Sequence, residues 1–197
     1  MPYFLKAVES WLSEYKNSTP IQVPSPSPMS IYSHWSPPPQ FGELKLNVDA
    51  AVDKVHGTIG LGLIIRDHLG HVRGATAIRT LGHFTHHIAE CMAICEGTKF
   101  ALRHNLAMSE LENDAKNVIS IIHSIAPLSV NGPLISDIIS NLCMLGNVIC
   151  KFVPRDRNKI AHILASFALN SPISSVWLEE TPQCIAHDVM LEVSSVF

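Results

Sequence analysis

The chain has 197 residues, 47% of them hydrophobic and 16% charged, with a formal net charge of −3. A chain this apolar buries enough surface to offset its ordering entropy, which excludes disorder along its whole length, and its length suits one full-sized domain with a modest extra segment. Nucleic-acid binders are usually basic, so any such partner has to be met here by a local patch rather than by the global charge.

Near the start, Phe4, Val8, Trp11, Leu12 and Tyr15 recur at helical spacing and predict one short helix. No basic flank leads into an apolar stretch there, so no secretory leader is expected. No apolar run reaches the roughly 18 residues of a membrane-spanning helix. The expected location is intracellular, with no membrane partner and a monomeric state. Pro20, Pro24, Pro26, Pro28, Pro37, Pro38 and Pro39 then crowd one stretch. Proline lacks the N–H that a helix interior or strand ladder needs, so this segment reads as an extended linker. Residues 1–40 are therefore expected to form a helix and linker, 41–172 the compact domain, and 173–197 a C-terminal tail.

Leu44, Leu46 and Val48 alternate with Lys45, Asn47 and Asp49, the period of a strand. Ile59–Ile65 is apolar almost throughout and reads as a buried second strand. Arg66–Gly70 supplies turn chemistry, and His71–Ile78 returns as a third strand. Strands joined this closely predict an antiparallel meander. A helix follows over Ile88–Asn105, a short strand over Ser109–Asn113, helices over Ala115–Ile125 and Ile135–Leu145, and a last strand over Val148–Val153, stopped by Pro154. Ile160, Ile163, Leu164, Phe167 and Ala168 form one apolar face of a closing helix. The order βββαβααβα predicts a mixed sheet covered by helices. The five cysteines are odd in number and contain no CxxC. Cys91 and Cys95 are expected to pack as small hydrophobes, in a reducing compartment.

Three acids end three different elements. Asp49 closes the first strand, Glu90 lies in the first turn of the long helix, and Asp114 follows the fourth strand just before a helix. Singly, each has an ordinary role: a strand-end turn residue, a helix-dipole partner and an N-cap. Together they form a candidate cation site, because mutually repelling carboxylates brought together need a counter-charge. Oxygen ligands of this kind favour Mg²⁺ or Mn²⁺ over zinc. His83, His86 and His87 are expected in a polar loop. Arg155, Arg157 and Lys159 either contact phosphate or form a solvated loop.

Several blocks carry a family resemblance. Trp35–Pro39, Leu44–Ala51 and Gly60–Asp67 resemble the opening of plant-type ribonuclease H-like domains, which are related to the ribonuclease H region of non-LTR retrotransposon reverse transcriptases. Ala89–Glu90, Glu112–Ala115 with Val118 and Ile119, and Val153–Arg155 with Asn158 and Ala161–Ala165 resemble its later blocks in order, as does Val176–Glu180 with Pro182. The resemblance implies an α/β ribonuclease H-like fold: a five-stranded mixed sheet, antiparallel over its first three strands and parallel beyond, flanked by helices. It implies endonucleolytic hydrolysis of the RNA strand of RNA–DNA hybrids. Asp49, Glu90 and Asp114 match the family's metal ligands for Mg²⁺ or Mn²⁺, His162 matches the fourth catalytic position, and Arg155, Arg157 and Asn158 are implied to contact nucleic acid. The implied chemistry is two-metal-ion hydrolysis, with the hybrid recognised through groove shape and 2′-hydroxyls.

Two features depart from the family's best-known members. His162 stands where a fourth carboxylate is usual, and magnesium prefers oxygen ligands. The stretch Arg155–Lys159 lacks the histidine usual before the last helix. The alternative reading is a catalytically weak or inactive domain that binds nucleic acid or protein.

Overall fold

The structure, a computed structural model, describes residues 35–37, 40–124 and 132–194. The helix expected over Phe4–Tyr15 and nearly all of the proline-rich stretch lie outside the described residues. Strands β1 (Leu44–Asp53), β2 (Thr58–Asp67) and β3 (Val72–Leu81) lead into helix α1 (His86–Arg103). Then come β4 (Glu110–Asn113), α2 (Lys116–Ser124), α3 (Gly132–Leu145), β5 (Ile149–Phe152), a 3-10 turn (Arg155–Arg157), α4 (Lys159–Asn170), β6 (Ser175–Leu178) and α5 (Ala186–Ser194).

The sheet order is β5-β4-β1-β2-β3-β6. β1, β2 and β3 form the expected antiparallel meander, and β4 and β5 add in parallel on the other side of β1. This is the α/β ribonuclease H-like architecture with its mixed sheet flanked by helices. One strand is additional: β6 pairs antiparallel with β3, so the segment read as a tail extends the sheet.

The alternation along β1 is real, but both faces are covered. Leu46, Val48 and Ala50 enter the larger core with α1, α2 and α3. Lys45, Asn47 and Asp49 point the other way and are buried as well. Buried polar groups call for hydrogen bonds, and each of these side chains makes at least one, although Asn47 Oδ1 is left without a partner. Lys45 Nζ donates to Glu112 Oε1 (2.8 Å) and pairs with Glu110 (2.9 Å), while Asn47 Nδ2 donates to Glu112 Oε2 (2.9 Å). Arg66, expected in a turn, ends β2 instead. It is 1% exposed, stacked 4.1 Å from the Trp35 ring and paired with Glu192 of α5 at 2.7 Å.

The second core forms under α4 and α5, from Ile64, Val72, Ala75, Ile160, Leu164, Ile185 and Val189. Helix α4 lies directly on the β2 backbone. A Cβ at Gly60 would meet the Ala165 carbonyl oxygen at 2.1 Å, and one at Gly62 the Ala161 oxygen at 2.2 Å. Since Gly62 is the register partner of Asp49, this close approach brings α4 over the middle of β1. On the opposite face, Gly97 of α1 sits over Leu46 and Val48 and seats Glu90's helix against the same strand.

Candidate active site

The three acids converge. One carboxylate oxygen from each of Asp49, Glu90 and Asp114 lies within 4.8 Å of the others. Three elements hold them. Asp49 projects from β1 on the α4 side. Glu90, expected in the first turn, is the fifth residue of α1 and lies in its second turn, beyond the N-cap Thr85, which accepts from the Ile88 N–H at 3.3 Å. Asp114 follows the end of β4. Asp49 and Glu90 are buried and Asp114 is half-buried at the opening.

Asparagines lock this arrangement, and two of them were given no role from sequence. Asn113 Nδ2 donates to Glu90 Oε2 (2.8 Å) and to the Val48 carbonyl (3.1 Å), while its Oδ1 accepts from the Ala115 N–H (2.8 Å). One side chain thus ties α1, β1 and the start of α2 together. Asn47 Nδ2 also reaches Asn158 Oδ1 at 3.3 Å. Asn158, expected to contact nucleic acid, is only 1% exposed, and its amide donates inward to the Val48 carbonyl at 2.8 Å. It braces β1 from below and presents no group to a ligand. The signal available from sequence was Asn113 directly before Asp114 and Asn47 two positions before Asp49, but Asn is equally at home in turns.

His162, on α4, places Nδ1 2.7 Å from Asp49 Oδ2. The Arg155 guanidinium lies 3.0 Å from His162 Nε2. Arg155 and Arg157 are exposed on the 3-10 turn that precedes α4, and Lys159 pairs with Asp188 of α5 at 2.7 Å. His86 and His87 begin α1 rather than lying in the loop, and His87 Nδ1 is 3.0 Å from Asn117 Nδ2.

The electrostatics are those of an unneutralised anionic site. Burial raises the Asp49 carboxyl above its ordinary range and the charge of Asp114 raises it further, against the hydrogen bond and charge of His162. Burial and the Asp49 charge push Glu90 up to about 8, against the hydrogen bond from Asn113. A divalent ion among these carboxylates would favour their charged forms. The donor set is oxygen from three carboxylates, which suits a hard cation. The cluster can therefore coordinate a divalent metal.

Cys91, Cys95 and Cys150 are buried free thiols pushed above their ordinary range chiefly by burial, so they are inert packing groups.

Comparison with known proteins gives a consistent picture. The family profile described as reverse transcriptase-like matches residues 47–168. No curated protein sequence matches the chain. Among solved structures, the N-terminal ribonuclease H domain of a Mycobacterium tuberculosis protein is similar at 20% identity with a TM-score of 0.57, over 65% of this chain and 94% of that one. Ribonuclease H1 from the halophilic archaeon Halobacterium salinarum is similar at 21% identity with a TM-score of 0.55, over 66% of this chain and 98% of that one. A compost-derived ribonuclease H1, solved in complex with an RNA/DNA hybrid, is similar at 17% identity with a TM-score of 0.58, over 65% of this chain and 97% of that one.

Proposed function

The chain belongs to the reverse transcriptase-like family, and we propose that it hydrolyses the RNA strand of RNA–DNA hybrids with Mg²⁺ or Mn²⁺. The observation that carries this reading is the convergence of Asp49, Glu90 and Asp114 within 4.8 Å at the end of a ribonuclease H sheet. The plant-type subgroup is part of the same reading, supported by the block from Asn158 to His162.

Asp49, Glu90 and Asp114 hold the metal. Bound there, a divalent cation supplies a lowered pKa to an attacking water and neutralises charge on the scissile phosphate. The remaining roles belong to the chain. His162 fixes the Asp49 carboxylate through its 2.7 Å contact. Asn113 fixes Glu90. Arg155, exposed and 3.0 Å from His162, and Arg157 on the same turn attract the phosphodiester backbone, which gives the local positive charge that the net charge of −3 does not.

The second reading, a binding module without turnover, is favoured by one observation: an imidazole rather than a fourth carboxylate faces Asp49. Incubation with a labelled hybrid and Mg²⁺ or Mn²⁺ separates the two. The nuclease reading expects cleavage of the RNA strand that Asp49→Asn reduces by about 10²-fold or more. Hybrid binding without cleavage in either metal supports the module. Cleavage that Asp49→Asn retains places the chemistry elsewhere.

A further inference from the structure

A cavity of about 560 Å³ opens at the β5 edge of the sheet, apart from the acidic cluster. Its lining includes Lys116 and Ser120 of α2, Lys151 and Phe152 of β5, and Arg157. Phe152 is 45% exposed at the sheet edge. Glu112 contributes an acid to the lining, but both of its oxygens are already engaged by Lys45 and Asn47. Lys151 Nζ is held by Glu110, so the cavity combines a half-exposed aromatic ring with the cationic side chains of Lys116 and Arg157.

We infer that this cavity binds an unpaired nucleotide of a single-stranded segment adjoining the hybrid, with the base stacked on Phe152 and the phosphates met by Lys116 and Arg157. An aromatic platform beside a cationic track is the physical basis of single-strand binding without base reading. The volume falls in the range of about 300–1,000 Å³ that encloses one small organic ligand. The placement fits a strand leaving the acidic cluster: Lys116 is the second residue after Asp114, and Phe152 is the register partner of Asn113, which holds Glu90. The inference rests on the hybrid-binding reading for the direction from which the strand arrives.

The test measures binding of fluorescent ligands to the full chain carrying Glu90→Gln, in Mg²⁺, so that no cleavage intervenes. The ligands are a blunt hybrid, the same hybrid with a single-stranded RNA overhang at either end, and the RNA strand alone. One overhang is expected to tighten binding over the blunt hybrid. Phe152→Ala should weaken that ligand by about 5- to 100-fold, and Phe152→Trp should retain the gain. Lys116→Gln should lower the salt dependence of the overhang hybrid by about 0.7 in log–log slope. Unchanged melting temperatures show that the variants fold. Equal affinity for blunt and overhang hybrids overturns the inference and leaves the hybrid reading standing. A gain that Phe152→Ala keeps also overturns it. If no hybrid binds but the RNA strand binds in a Phe152-dependent way, the hybrid reading falls and the cavity assignment survives; if nothing binds, both fall.

Discussion

His162 sits at the point where the site departs from an all-carboxylate design. Its Nδ1 lies 2.7 Å from Asp49, and it counteracts the rise that burial and Asp114 impose on that carboxyl. The imidazole therefore does part of what a bound cation would do. His162→Asp would replace this support with a fourth oxygen and a fourth negative charge. The metal-free protein should lose on the order of 1 kcal/mol of stability, since like charges repel at short range. Mg²⁺ affinity and Mg²⁺-dependent cleavage should both rise. Calorimetric titration of Mg²⁺ checks the first and hybrid cleavage the second; an unchanged or weaker affinity would contradict this account of the position. The three acids themselves were legible in the sequence because they fall on three different elements, although Asp49 lies inside β1 rather than at its end and Glu90 lies past the first turn of α1. Asn113 and Asn158 were not, because an asparagine that braces a carbonyl reads the same as one that shapes a turn. The Val48 carbonyl that both of them hold becomes visible only in three dimensions.

Among the elements, β2 and α4 decide whether the site assembles. Gly60 and Gly62 remove the side chains that would separate them, and α4 settles with its carbonyls over bare backbone. A Cβ at Gly62 would lie 2.2 Å from the Ala161 oxygen, so the helix has to move. Gly62→Ala should destabilise by about 3 kcal/mol, the upper part of the overpacking range, and should cut hybrid cleavage further than the stability loss alone accounts for. His162 rides on that helix opposite Asp49. Denaturant unfolding and cleavage measured on the same preparation check this; a variant with intact stability and activity would refute the close-packing argument. The main elements were legible from periodicity, since β1 alternates and α4 repeats its apolar face. β6 was not, because Ser175–Leu178 is only four residues long and follows a proline. Its pairing with β3 and the seating of α5 through Arg66 and Glu192 depend on partners about a hundred positions away. No local pattern carries that information. The burial of Arg66 and Lys45 escaped notice for the same reason: a cation in a strand reads as solvent-facing until its distant acids are located.

At the scale of the molecule, the site couples folding to pH and to metal. Glu90 ordinarily titrates near 4.5 and is pushed up to about 8 in the fold. Between those values the folded state binds more protons than the unfolded state, so this group makes stability fall as pH rises from about 4.5 through about 8. Its contribution to the slope is at most about 1.4 kcal/mol per pH unit. In the absence of metal, thermal stability should therefore decline across that window. Glu90→Gln should flatten the decline and be the more stable protein at the alkaline end. Mg²⁺ should recover stability in the parent at alkaline pH and do little for the variant. Melting curves across pH with and without Mg²⁺ check the sign; a parent that gains stability through the window would contradict the burial of an unneutralised acid. Among the described residues no helix is long and apolar enough to cross a membrane.

Isothermal titration of Mn²⁺ into the full chain near neutral pH probes the carboxylate cluster without reference to any nucleic acid. The expected result is saturable binding whose heat varies with the ionisation enthalpy of the buffer, because Glu90 gives up its proton as the metal enters, together with loss of that binding in Asp49→Asn. No saturable binding by the parent, or binding of equal strength by the Asp49→Asn variant, would contradict the assignment of these three acids as a metal site.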